Sequence, residues 1–184
     1  IGYFLKLDRW QWPSRTPQES SWYQYDLETV GYIPIIDMKM VLVLTQYIST
    51  SKVISPGNAE KYICSEEQLI LYPKCQIILD EAYKRDLENS KKGRATALGG
   101  YERLRGFPEG RFFDEHTNFR GIELRYYFES VDLDFDVIFA KGFLAEFQVA
   151  GFYEQGTVSP DLGTNLWKNF KDTFGIGLRL ITGS

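Results

Sequence analysis

Histidine is nearly missing from this chain: His116 is the single one in 184 residues, beside two cysteines and two methionines. One imidazole and two thiols do not complete a structural zinc site, which takes four such ligands, and His116 lies far along the chain from Cys64 and Cys75. No metal and no cofactor are expected. An excess of one charge is missing too. Lys and Arg total 21 against 25 Asp and Glu, a net charge of −4 with a pI near 5.2, so the basic footprint of a nucleic-acid-binding surface is lacking. No apolar run approaches the roughly 18 residues of a membrane-spanning helix, which leaves membrane barrels open because their strands alternate. The chain also lacks an internal repeat and a Ser/His/Asp arrangement. The glycines of "GGYERLRG" lack the strand-to-helix context of a phosphate loop. An enzyme is thus the poorest reading, and His116 is expected to be a solvated loop residue.

Aromatic residues, in contrast, are plentiful at 16%, with 13 Phe and 12 Tyr, and they fall in segments that alternate. From Phe119 onward, Arg120, Ile122, Leu124, Tyr126 and Phe128 share one face, and Gly121, Glu123, Arg125, Tyr127 and Glu129 the other. This period of two marks a strand with one apolar and one polar side. It recurs with Ala145, Phe147, Val149, Gly151 and Tyr153 against Glu146, Gln148, Ala150, Phe152 and Glu154. It recurs again with Phe174, Ile176, Leu178 and Leu180 against Thr173, Gly175, Gly177 and Arg179, and with Met38, Met40, Leu42 and Leu44 against Lys39, Val41, Val43 and Thr45. Strands are predicted over residues 2–10, 22–33, 36–50, 118–129, 137–154 and 172–182. They exceed the usual length of about 5–6 residues and match the roughly 9–11 tilted residues that cross a bilayer. Trp10, Trp12, Trp22, Tyr23, Tyr25, Tyr126 and Tyr127 cluster near strand ends, as aromatic girdles do. A soluble sandwich or a ligand-binding barrel would alternate as well.

Connections alternate in length. "GYIPIIDMKM", around Pro34 and Asp37, and "ESVDLDFD" are short, whereas residues 11–21, 50–118 and 155–171 are long and polar. Short turns on one side and long loops on the other suit an outer-membrane barrel. Within 50–97, Ile78, Leu79, Ala82 and Leu87 have helical spacing, with a basic end before Gly93. Cys64 and Cys75 bracket "SEEQLILYP". Two free thiols would be the plain alternative, but so short a spacing in a loop favours a disulfide and an oxidising compartment. The chain begins at Ile1, inside a strand-like run, and stops at a turn-like segment, so a fragment of a longer chain, or the ordered part of one, is expected.

The stretch "GGYERLRGFPEGRF" resembles the loop signature of the BamA-type outer-membrane assembly and translocation barrels, the bacterial surface antigen family. A Gly-Gly pair, Gly99 and Gly100, is followed by Leu104, Arg105, Gly106 and Phe107. "YDLETVGYIPIIDMKMVLVLTQY", "GIELRYYF", "VAGFYEQGTV" and "FGIGLRL" resemble the neighbouring strands in the same order. Glu154 stands where the family usually has an aspartate. The resemblance implies an all-β, antiparallel transmembrane barrel, of which residues 1–184 would supply about six of sixteen strands, the ninth to fourteenth. Residues 50–97 would be an extracellular insertion and 98–117 a signature loop folded into the lumen.

By the same resemblance, the protein would reside in a bacterial-type outer membrane and insert outer-membrane proteins or pass polypeptides across it. Its partners would be the lipid bilayer, client polypeptides and accessory outer-membrane or periplasmic subunits, with no nucleic acid. Ile122, Leu124, Phe147 and Val149 would face lipid, and Glu123, Arg125, Glu146 and Gln148 the lumen. Arg105 would bond both Glu123 and Glu154 and latch the loop to the wall, with Gly106 allowing a sharp turn and Phe107 anchoring the loop. A plain transport pore, the anchor of a fused passenger domain, and a soluble ligand-binding barrel are the competing readings.

Overall fold

The computed structural model describes residues 1–36, 39–128 and 145–182. The expected turn at Asp37, the facing of Met38 and Glu129, the connection 129–136 and the strand start at 137–144 lie outside them. So do the side-chain facings of Ala145, Glu146 and Leu180.

Six strands, β1 (Gly2–Trp12), β2 (Ser21–Ile36), β3 (Met40–Ser55), β4 (His116–Tyr127), β5 (Ala145–Ser159) and β6 (Lys171–Thr182), form one antiparallel sheet in sequence order. The fold is all-β. Several strands run further than their alternation predicts. Pro34, expected in a tight turn, lies within β2 opposite Val41, and the register shifts between Pro34 and Ile36. Such an irregularity is where a sheet tolerates a residue without an N–H. β3 starts at Met40 rather than 36 and continues to Ser55, past the limit set by Thr50, because Thr50 to Val53 and Ser55 stay paired with β2.

The two faces of the sheet differ. One carries Leu5, Leu7, Leu44, Ile122, Leu124, Phe174, Ile176 and Leu178, all exposed; Phe174 and Ile176 are 81% and 84% accessible, so nothing among the described residues covers them. The other carries Gln24, Asp26, Ser49, Glu123, Gln148, Glu154 and Thr173, all buried. The expected aromatic clustering divides between these faces. Trp12 stacks on Trp22 at 6.1 Å, and its indole Nε1 donates to Gln24, which puts both tryptophans on the polar side. Alternation puts Tyr127 there as well, beside Arg125.

Between β3 and β4 the chain leaves the sheet and returns. A helix α1 (Glu66–Leu71), which had no counterpart in the sequence reading, is closed by a capping box: Gln68 N–H donates to the Ser65 hydroxyl and the Gln68 side chain accepts from the Ser65 N–H. A second helix, α2 (Cys75–Asn89), contains the periodic Ile78, Leu79, Ala82 and Leu87. It ends at Ser90, short of Gly93. Gly93 serves a different purpose there, since a Cβ on it would lie 2.6 Å from the Ser51 hydroxyl. Cys64 and Cys75 form a disulfide with a Cα separation of 6.3 Å, tying α2 to the segment before α1. Residues 92–98 then bind the sheet: Ala95 N–H donates to Asp114 C=O, Thr96 N–H to the Ser49 hydroxyl, and Thr117 Oγ1 to Thr96 C=O.

Candidate functional site

The core of the described residues lies between the polar face and the segment 98–112 that folds across it. Leu98 and Leu104 are fully buried against Tyr47 and Phe119, with Phe107, Phe112 and Val158 packed around them. The loop reaches this position because glycines make room. Gly99 and Gly100 have φ of 106° and 103°, a region that suits glycine, and an isolated bridge pairs Leu98 with Phe112. On the wall, a Cβ at Gly156 would sit 2.6 Å from a Leu98 methyl and 2.9 Å from one of Leu104. Gly106 works the same way: a Cβ there would collide with the Thr173 hydroxyl. It permits close approach, whereas the residue beside Arg105 with left-handed backbone is Leu104, with φ of 55°. For a non-glycine residue that conformation costs on the order of 1 kcal/mol, offset here by complete burial of the leucine side chain.

With Leu104 fixed, its two neighbours point to opposite parts of the sheet. Arg105 lies over β4 and β5. Its Nε donates to Glu154 Oε1 at 2.6 Å, its backbone N–H to Glu154 Oε2 at 2.8 Å, and its Nη2 to Glu123 Oε2 at 2.7 Å. The guanidinium also rests on the Phe152 ring at 3.6 Å. A planar fork with fixed donors suits this two-carboxylate arrangement, which a lysine could not reproduce. Glu123 is held independently of the loop, because its other oxygen accepts from Arg125 Nε at 2.7 Å and Arg179 Nη1 at 2.8 Å. Arg179 continues to Gln148 at 2.9 Å. Glu154, 3% exposed, has Arg105 as its cationic partner among the described residues.

Arg103, which the sequence reading did not single out, reaches the other way. It rests on the Tyr47 ring at 3.8 Å and approaches Glu28 of β2 at 3.8 Å. The alternating order Arg103–Leu104–Arg105 was the available signal, since two arginines around a buried residue must diverge. Phe107 contacts the core and meets Phe112 edge-on at 5.0 Å.

His116 corrects an expectation. It is the first residue of β4, buried rather than solvated, and its Nδ1 lies 2.7 Å from the Thr50 hydroxyl. The reason is that β4 begins two residues earlier than its apolar alternation, so His116 pairs with both Thr50 and Ser159. Among the described residues no group of three or more His, Cys, Asp or Glu side chains is placed to hold a metal, and no helix is long and apolar enough to cross a membrane. No family model, curated protein or solved structure matches the chain.

Proposed function

We propose that the sheet is part of the wall of an outer-membrane β-barrel of the BamA type, and that the whole protein inserts outer-membrane proteins or translocates polypeptide. The observation that carries this reading is the loop Leu104–Phe107 lying on the polar face with Arg105 between Glu123 and Glu154. A pore that only conducts has no need to keep such a loop on its wall. The uncovered apolar face supports the membrane environment, because soluble monomers rarely expose a contiguous apolar area beyond a few hundred Å². Tyr23, Tyr25 and Tyr126, at strand ends on that same face, suit the water interface. Further strands close the barrel beyond β1 and β6, whose outer edges have no neighbour among the described residues; open edges are not tolerated in hydrocarbon. Residues 50–97 then lie outside the cell, where the disulfide persists.

The test is reconstitution of the full-length protein in liposomes, with an unfolded outer-membrane barrel added as client. Faster appearance of protease-resistant client with the wild-type protein than with empty liposomes is expected, and Arg105→Ala should remove most of that acceleration. Ion conductance without any gain in client folding or polypeptide passage would favour a plain pore and contradict the proposal.

A further inference from the structure

A second feature lies at the opposite end of the polar face from Arg179, where the insertion meets β1 and β2. There a cavity of about 780 Å³ opens between the stacked tryptophans and the C-terminal half of α2. Its size falls in the roughly 300–1,000 Å³ range of small-molecule sites. Trp12 is fixed on one side by its stack on Trp22 and by its bond to Gln24, yet stays 43% exposed, so a flat apolar surface remains available. Trp22 also lines the cavity, and its buried Nε1 has no hydrogen-bond partner among the described residues.

Facing the indoles, α2 contributes Asp86 and Asn89, three residues apart and so on one side of the helix. Asp86 carries a carboxylate and Asn89 an amide, which together offer donors and acceptors. The charges around the cavity balance, with Arg15, Lys92 and Arg94 matched by Glu19, Glu60 and Asp86. That balance disfavours a strongly anionic or cationic ligand. The backbone of the crossing segment is already engaged: Lys92 C=O accepts from Ser20, and the N–H groups of Ala95 and Thr96 donate to Asp114 and Ser49. An extended peptide would therefore find little main chain to pair with, although main-chain bonding is how strand addition gains affinity.

From these features we infer that the cavity is a saccharide-binding site. A pyranose has an apolar C–H face that covers an aromatic ring, and a rim of hydroxyls that each donate and accept. Trp12 supplies the platform, while Asp86 and Asn89 take the hydroxyls. The site is independent of the Arg105 loop and of the membrane reading.

The experiment titrates maltose, lactose, chitobiose and a lipid-free core oligosaccharide into the full-length protein in a detergent that is not a glycoside, followed by tryptophan fluorescence and saturation-transfer NMR. At least one sugar should bind with a Kd of about 1 mM or tighter. Trp12→Ala and Asp86→Ala should each weaken it by about tenfold or more, and Lys84→Ala, an exposed change on α2 away from the cavity, should not. Asp86→Ala lies on a surface helix, so it remains informative if Trp12→Ala misfolds. Two results would overturn the assignment: no sugar in the panel binding, including the case where tetra-alanine binds instead, or sugar binding that survives both site substitutions.

Discussion

At the scale of single residues, Arg105 and Gly106 carry the argument. Removing the Arg105 side chain leaves Glu154 buried without its cation, whereas Glu123 keeps Arg125 and Arg179. Breaking one member of a buried pair costs roughly 3–5 kcal/mol. Arg105→Ala should therefore lower unfolding stability by about that much and expose residues 99–111 to protease. Arg111→Ala, at an exposed position, should stay within about 0.5 kcal/mol. Equal effects of the two would remove the special place given to Arg105. Gly106→Ala should be destabilising through Thr173 alone, so Thr173→Gly should rescue it. Their combined effect should then depart from additivity by about 0.5–3 kcal/mol, the range for residues in contact; thermal unfolding of the two single variants and the double variant measures it. The pairing of Arg105 with two inward glutamates was legible from alternation together with the loop motif. The left-handed Leu104 was not, because nothing local favours that conformation; burial against Tyr47, Phe119 and Gly156 imposes it.

The elements differ in how much of themselves they show in the sequence. β3 to β6 alternate over most of their length, and their faces could be read directly. Their ends could not, since strand ends such as Thr50–Lys52 and His116–Asn118 are polar on both sides and held by pairing to neighbours. His116 was misplaced for this reason. The insertion is the opposite case. Neither of its helices has a buried residue, so its apolar spacing says little about packing; residues 92–98 and the Asn58 N–H bond to Pro17 C=O attach it to the rest of the fold, and the disulfide ties its own segments together. Closing a loop with a cysteine separation of 11 contributes on the order of 3 kcal/mol by loss of chain entropy. Cys64→Ser with Cys75→Ser should release α1 and the start of α2 to rapid hydrogen exchange and leave exchange in β2–β5 unchanged. Protection of α1 equal to that of the wild type would show that packing, not the crosslink, holds it. Intact mass before and after reduction and alkylation checks the bond itself. Ser65→Ala, which removes the α1 cap, should cost about 1 kcal/mol of local stability, read as faster exchange confined to α1.

At the scale of the whole molecule, the fold separates two chemistries across one layer of backbone. The polar side holds a network of arginines, glutamates and amides with a loop pressed onto it, and the other side is an exposed apolar wall. A soluble protein would cover that wall with a second layer, whereas a bilayer covers it with lipid. On the proposed membrane reading, an arginine on the lipid face costs up to about 2–4 kcal/mol at the bilayer midplane, so Leu124→Arg should impair insertion far more than a change at Arg125, its neighbour on the opposite face. The most direct test replaces Leu124, Phe147 and Ile176, and separately Arg125, Gln148 and Thr173, with cysteine in the full-length protein in bilayers, and applies a lipid-soluble thiol label. Labelling of the first three with sparing of the second three is the predicted result. Equal labelling of both sets, or labelling of neither, would contradict the placement of this sheet in a membrane wall.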